Sequence, residues 1–505
     1  MGSAERTLTQ KATSGVAWSS ILQVSRQALS LLSVSVLARK VPPSAYGLVG
    51  MAGIVLTFFG TFQDLGTTNA LVREAVLTEI FTGTVFWVNC VFGLLLAGCA
   101  AALAFPAAAF FHQPDLVAVT QVMALYFVIT SLGVLPNALL TRQMAFRHLV
   151  IAQFGGAVAG TATAIWLALL GKGVWSLVFG ALVNNAVMIV GYWFFAPFRV
   201  RWAMDLRSIR SIASYSLNLS GFGIVNYFAR NADNLIVGRF LGSGALGYYQ
   251  MGYTFLTFPL YNFSSMIAQV LFPAMTQVQN DDERVRRAFI RTSVLIALFT
   301  FPVMLGLFVT ADPFVRVVLG PKWAPVTGLL MVFAPLSAAQ SVVIASGLIY
   351  TVKGRTDWMF RWGVFSGALF VLSFLLGLRW GIQGVAMCYA IMWCVLALPG
   401  LWIPLRLIHL PLTEYLLYFW PVLKASLVMT AIAAAWLHGL RWLGVWNPVV
   451  LLCSTSAVGA ICYVLLMYWW KPPVMGALSS VLEHSGNSLA VKAVRYLPAN
   501  AGELL

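Results

Sequence analysis

Charge is what this sequence has least of. Only 9% of its 505 residues are charged, against about 25% in soluble domains, which excludes a chain folded wholly in water. Acids are scarcer still, with 15 Asp and Glu against 31 Lys and Arg. There is no Gly-x-x-x-x-Gly-Lys-Ser/Thr run, so ATP does not drive the chain directly. The cysteines (Cys90, Cys99, Cys388, Cys394, Cys453, Cys462) form no Cys-x-x-Cys pair and all fall in apolar runs. They read as small buried hydrophobes, not as disulfides or metal ligands. The histidines (His112, His148, His409, His438, His484) are scattered without ligand spacing. "GSGALG" at 242–247 matches G-x-G-x-x-G but lacks a βαβ setting, so no dinucleotide site is read there. "NDDE" at 280–283 is read as a helix start, where acids favour the dipole, and not as a metal site.

What the chain has in excess is hydrocarbon. It is 60% hydrophobic, with a mean hydropathy of +0.86. Apolar runs of roughly 18–25 residues recur from end to end, each long enough to cross a bilayer core. Such spans must satisfy their own backbone, so they are expected to be helices. About fourteen are expected, near 13–38, 45–71, 80–105, 116–139, 149–170, 173–196, 211–236, 244–272, 288–310, 325–350, 359–378, 381–404, 418–440 and 447–470. Trp202, Tyr248, Trp323, Trp380, Trp469 and Trp470 lie at span ends, as an interfacial belt would. Tyr248, Tyr249 and Tyr253 read as part of that belt, with stacking on sugars as the alternative. Pro136, Pro259, Pro302 and Pro335 fall inside spans and predict bends. Gly156 and Gly160 have the spacing that lets helices approach closely.

The cations set an orientation. Loops such as "TRQMAFRH", "FRVRWAMDLRSIR" and "NDDERVRRAFIR" gather on one side when the N-terminus is cytosolic, which is the positive-inside bias. Both termini then come out cytosolic. The net charge of +16 is dispersed over these loops, which suits anionic lipid and not nucleic acid.

The chain also repeats itself. "LARKVPPSAYGLVG" at 37–50 returns as "VGRFLGSGALGYYQ" at 237–250, so that a shift of 200 aligns Arg39 with Arg239, Ala45 with Ala245 and Gly47 with Gly247. Six spans fill the interval, and an even number returns the chain to the same side. The expected architecture is all-α integral membrane. Two parallel-topology six-helix lobes (1–205 and 206–410) are followed by two more helices (411–471) and a cytosolic tail (472–505). Substrate sites in carriers built from repeats lie near the midplane at the repeat interface.

Charges inside spans point to such a site, because burying them is costly without a use or a partner. Arg26 lies about halfway down the first span. Arg230 lies in the seventh, with Asp233 three residues on, and Asp64 lies in the second. Arg39 and Arg239, the aligned pair of the repeat, complete the candidates for a cationic lumen that would take an anionic substrate. Arg230 and Asp233 could instead simply neutralise each other, and Asp64 could pair with Arg73 at the interface. No catalytic residue and no metal ligand is read.

"ADNLIVGRFLGSGALGYYQMGYTFLTFP" (232–259), "LFPAMTQVQNDDERVRRAFIR" (271–291) and "LGPKWAPVTGLL" (319–330) resemble the oligosaccharide-flippase branch of the MOP exporter superfamily. "YGLVGMAGIVLTFFGTFQDLGTTNALVRE" in the first lobe resembles it too. The resemblance spans about residues 10–410 and is strongest to WzxC-type lipopolysaccharide and exopolysaccharide exporters. It implies fourteen helices in a V-shaped, two-lobed transporter of the bacterial inner membrane. It implies movement of an undecaprenyl-pyrophosphate-linked oligosaccharide, work beside polysaccharide polymerase and export machinery, and H+ or Na+ coupling in place of a cofactor. Placing Arg26 and Arg230 in the lumen is an inference from spacing, since no family motif fixes their roles.

Two other classes compete. A cation or drug antiporter of the same superfamily would want a lumenal carboxylate in the first lobe, where the first span carries Arg26 and no acid. A membrane polymerase or ligase would want outer acids or a large outer loop. "ARKVPPSAYG" has no acid and no outer loop is large. The chain is therefore read as a carrier and not an enzyme.

Overall fold

The computed structural model describes residues 25, 29–63, 78–196, 227, 230–257 and 281–470. All regular structure among them is helical. The chain divides into two compact units, Met1–Gly247 and Tyr248–Leu505.

The first unit contains α1 (29–40), α2 (Pro43–Gln63), α3 (Glu79–Phe111), α4 (Leu116–Ser131), α5 (Val134–Arg142), α6 (Phe146–Leu169), α7 (Val174–Phe195) and the part of α8 (230–257) that runs to Gly247. Thr78 caps α3, its hydroxyl accepting from the Phe81 N–H. α4 and α5 meet at a bend of 40°. Its cause is Pro136, which has no N–H for the Leu132 carbonyl and whose ring would strike it. That freed carbonyl accepts from the Trp193 indole at 3.0 Å, so it is not left stranded at membrane depth. α6 and α7 approach so closely that a Cβ at Gly160 would sit 2.6 Å from the Gly180 carbonyl. A Cβ at Gly156 would come 2.5 Å from the Asn184 carbonyl, so the small-residue spacing brings these two helices together.

The second unit is arranged around α9 (Asp282–Phe314), followed by a π turn (Val315–Leu319) and a 3-10 turn (Pro321–Trp323). Then come α10 (Pro325–Val343), α11 (Ser346–Val352), α12 (Thr356–Gly377), α13 (Gly381–Arg406), α14 (Leu412–Leu417), α15 (Trp420–Trp442) and α16 (Pro448–Trp470). Over residues 292–311 α9 is apolar nearly all round and is therefore a core helix. Its Phe289 and Phe301 pack with Tyr415 and Phe419, the Phe289 and Tyr415 rings stacking at 5.1 Å. Pro302 frees the Leu298 carbonyl, and Tyr463 of α16 donates its hydroxyl to it at 2.8 Å. Tyr415 likewise donates to the Val342 carbonyl, where α10 ends, at 2.7 Å.

Nine helical stretches among the described residues are long and apolar enough to cross a membrane, ten if α4 and α5 form one bent span. One of the nine, Thr356–Arg406, is itself a hairpin. Gly377 packs on Gly384 and Val385, Phe374 meets Tyr389, and Gly381 makes the turn at φ +67°. Observed bounds fall within a few residues of the expected ones for most spans described in full; most of 13–38 and 211–236 and the ends of 45–71 and 244–272 lie outside the described residues. α9 is longer than its expected 288–310, because Asp281 caps it early by accepting from the Arg284 N–H.

Three expectations need correction. The belt loses Trp323, which is fully buried and packs edge-on against Tyr248. Tyr249 is also fully buried, against Tyr253 and Phe333, so neither interface nor sugar reaches it. Both residues fell at expected span ends, where sequence does not show which face a ring takes. Trp380 and Trp469 are exposed as a belt requires. The cysteines are not uniformly buried: Cys99, Cys394 and Cys453 are exposed on helix faces, all as free thiols, because an apolar solvent accepts a small thiol as readily as a core does.

Candidate functional site

The repeated stretch is mostly helix. In the first copy only Val41 and Pro42 leave the helical conformation. In the second copy residues 230–257 are all helical, and the reversal is made by Gly242 at φ +82°. The reversal is visible in Leu246, whose Cδ2 lies 3.3 Å from where a Gly238 Cβ would stand. In a straight helix eight residues span about 12 Å, too far for that contact. A left-handed glycine turns the chain in one residue.

The two copies meet each other within the first unit. A Cβ at Gly47 would overlap the Ser243 carbonyl oxygen, and a Cβ at Gly247 would overlap the Pro43 carbonyl oxygen. At the shift of 200, Ser243 answers Pro43 and Gly247 answers Gly47. The contact is therefore reciprocal, as a two-fold relation demands. Only glycine lets backbone lie on backbone at this distance.

The candidate charges divide as follows. Arg26 and Asp64 lie outside the described residues. Arg230 is exposed at the start of described α8, and Asp233 is 5% exposed, one helical turn on. An Asp233 carboxylate oxygen accepts from the Asn234 N–H at 2.7 Å. The segment is tied to α2 by Tyr227, whose hydroxyl donates to the Ile54 carbonyl and whose ring packs edge-on against Phe58. Arg39 is exposed at the end of α1. Arg239 is half-buried, hydrogen-bonded to the His112 ring and set over the Phe110 ring at 5.4 Å. His112 is the left-handed residue that closes α3, at φ 54°. Arg230 and Asp233 are thus brought together on one helix. Arg239 instead joins His112 and Phe110 at the α3 end. Sequence reasoning missed Tyr227 and His112 as partners, because their contacts are 173 and 127 positions away in the chain.

In the second unit the charges gather at the two ends of α9. At its start Asp282 accepts from Lys353 and from His409 at 2.9 Å, while Arg286 donates to the Ile408 and His409 carbonyls. At its end Asp312 pairs with Arg316 at 2.8 Å and Arg441 at 2.9 Å. The two aspartates are 30 positions apart, about 45 Å along a helix, which is the bilayer thickness including headgroups. Both clusters therefore lie at interfaces, outside the hydrocarbon. The Lys353 hydrogen bond, and then that of His409, holds the Asp282 carboxyl below its ordinary range. Among the described residues no three His, Cys, Asp or Glu gather as a metal site would need.

Proline-bent spans whose charges, among the described residues, gather at helix ends and a few interior positions define a multi-pass membrane protein. The family to which the chain belongs follows from its match, over residues 36–327, to the profile of the Polysaccharide biosynthesis protein family: it is a member of that family. The lipopolysaccharide biosynthesis protein WzxC of Escherichia coli (strain K12) is 27% identical over 73% of this chain and 76% of its own length. The succinoglycan biosynthesis transport protein ExoT of Rhizobium meliloti (strain 1021) is 26% identical over 97% of this chain and 98% of its own. Among solved structures, the lipid II flippase MurJ in an inward closed conformation shares the fold. Its TM-score is 0.72 at 14% identity, over 89% of this chain and 98% of that one.

Proposed function

We propose that this chain carries an undecaprenyl-pyrophosphate-linked oligosaccharide from the cytosolic to the outer leaflet of the bacterial inner membrane, supplying exopolysaccharide or lipopolysaccharide synthesis. The observation that carries the reading is membership of the polysaccharide biosynthesis family combined with a fold shared with a lipid flippase. The physics agrees. A pyrophosphate with several sugars cannot cross hydrocarbon unaided, because each desolvated polar group costs several kcal/mol (about 2–7). A polar lumen shelters the head while the prenyl tail stays in lipid. Arg230, exposed on α8, presents the planar fork of donors that suits phosphate, and Arg26, Arg39, Arg239, Asp64 and Asp233 are proposed with it as lumenal charges. The lobes 1–205 and 206–410 exchange access alternately, driven by a proton or sodium gradient or by the membrane potential. Both termini are cytosolic, and a polysaccharide polymerase receives the product.

The test is flipping in proteoliposomes. Purified protein is reconstituted with the lipid-linked oligosaccharide, a pH or sodium gradient is imposed, and transbilayer movement is followed. Protein-dependent movement is expected, and Arg230→Ala is expected to slow it at least about tenfold, the loss of one charge-assisted hydrogen bond. Absence of movement alongside gradient-driven uptake of a cationic drug would overturn the reading in favour of an antiporter.

A further inference from the structure

We infer that the first unit carries a glycan-binding groove of its own, distinct from the charged positions above; this rests on the proposed oligosaccharide substrate. A groove of about 580 Å³ opens among α1, α6 and α7, a volume within the range of ligand sites. Ser30, Ser33, Thr161 and Asn184 line it, beside Ala157 and Ala181.

Its depth is set by helix geometry. Leu177 and Asn184 lie three and ten residues into α7 from Val174, and Ser33 and Ser30 lie seven and ten residues before Lys40 on α1. At 1.5 Å per residue the groove reaches from about 5 to about 15 Å below this end of the helices. The end is common to all three, because Leu37, Ala164, Ala168, Val174 and Leu177 pack there in one cluster.

At that depth lipid offers no hydrogen bonds. Serine and threonine in a helix ordinarily bond the carbonyl one turn back, as Thr163 does to Ala159. Ser30, Ser33, Thr161 and Asn184 make no side-chain hydrogen bond to any described residue. Four polar groups held open in this way cost free energy unless water or a polar ligand meets them. The lining also decides which ligand. Among the described residues it has no Lys, Arg or His, which does not suit pyrophosphate, and no Asp or Glu, which does not suit a cation. A prenyl or acyl chain would leave all four groups unpaired. Hydroxyls and an amide, each both donor and acceptor, match the one remaining part of the substrate, the neutral hydroxyl-rich sugars.

The experiment uses two readouts on the full-length protein. A soluble tetrasaccharide without lipid is titrated onto detergent-solubilised protein, and a lipid-pyrophosphate-linked tetrasaccharide and monosaccharide are followed in proteoliposomes. The near-isosteric pair Ser33→Ala with Thr161→Val removes two hydroxyls without filling space, and Ala181→Phe fills the groove while keeping them. The double variant is expected to weaken tetrasaccharide binding about tenfold, as two net hydrogen bonds would, and Ala181→Phe to weaken it at least as much by exclusion; both should slow the tetrasaccharide lipid while changing the monosaccharide lipid less than about twofold. Unchanged binding, or equal loss for both lipids, overturns the groove and leaves the flippase reading standing. Groove-dependent binding with no movement of either lipid by the wild type overturns the flippase reading and leaves the groove. Displacement of the tetrasaccharide by phospholipid alone would make the groove a lipid site and overturn the inference.

Discussion

Alanine at Gly47 or Gly247 places a methyl group on a backbone carbonyl, and backbone cannot rotate away as a side chain can. The relevant comparison is Gly53 on the same helix α2, where an added Cβ meets nothing within 4 Å. All three substitutions gain the same helix-propensity term, about 1 kcal/mol in favour of alanine. That term cancels in the difference, which isolates the overlap. Overpacking typically costs about 1–3 kcal/mol, so Gly47→Ala and Gly247→Ala should each be about 1–3 kcal/mol less stable than Gly53→Ala. Gly53→Ala should match or exceed the wild type. The double variant should cost less than the sum, because one displacement of α2 from the 243–247 segment relieves both overlaps. Unfolding in mixed micelles of increasing denaturing detergent, read by the loss of tryptophan fluorescence, gives the four stabilities on one scale. If Gly47→Ala and Gly247→Ala unfold with Gly53→Ala, the two copies of the repeat do not lie backbone to backbone, and the reciprocal contact is refuted.

Tyr463→Phe should destabilise by about 1–3 kcal/mol, because it strands the Leu298 carbonyl that Pro302 has freed; Pro302→Ala in the same chain should recover part of the loss in the same micelle assay. Asp312→Asn should cost only about 1 kcal/mol or less, since Asp312 and Arg441 remain a third exposed and solvent screens them; a loss of several kcal/mol would show that the α9–α15 tie is stronger than its exposure allows. Asp282 is held below its ordinary pKa, so its contribution is present at neutral pH and is lost as pH falls below the ordinary carboxylate range toward its depressed value. Wild-type stability should therefore decline more steeply in acid than that of Asp282→Asn, and parallel curves would remove the Lys353 and His409 contacts as its cause.

The fold was legible because a bilayer imposes a one-dimensional rule. Hydropathy along the chain marks each crossing, so 149–170 and 447–470 predict Phe146–Leu169 and Pro448–Trp470 within a few residues. The family was legible from 232–330, which falls almost wholly within the matched 36–327. The repeat was legible as spacing, but its meaning was not. Arg39 and Arg239 drew attention through their charge, while the aligned pair that meets is Gly47 and Gly247, which bear no chemistry and matter by what they lack.

Side-chain partnership was not legible, for the same physical reason throughout. A membrane chain has few polar groups, so each is placed by a partner far away in sequence and not by a local pattern. "NDDE" was read correctly as a helix start through Asp281, yet its neighbour Asp282 reaches Lys353 and His409, 71 and 127 positions on. Pro302 announced a bend, but nothing in the sequence names Tyr463 as the donor that completes it. The groove, whose described lining is uncharged, was harder still. Ser30 and Ser33 look like ordinary small residues on a spanning helix, and a search for buried charge passes over them. They stand out only when their missing back-bonds are set beside the volume they face. If the chain carries an oligosaccharide as proposed, neutral donors without partners are the expected trace of a binding surface, since any group already satisfied by the backbone has less to offer a ligand.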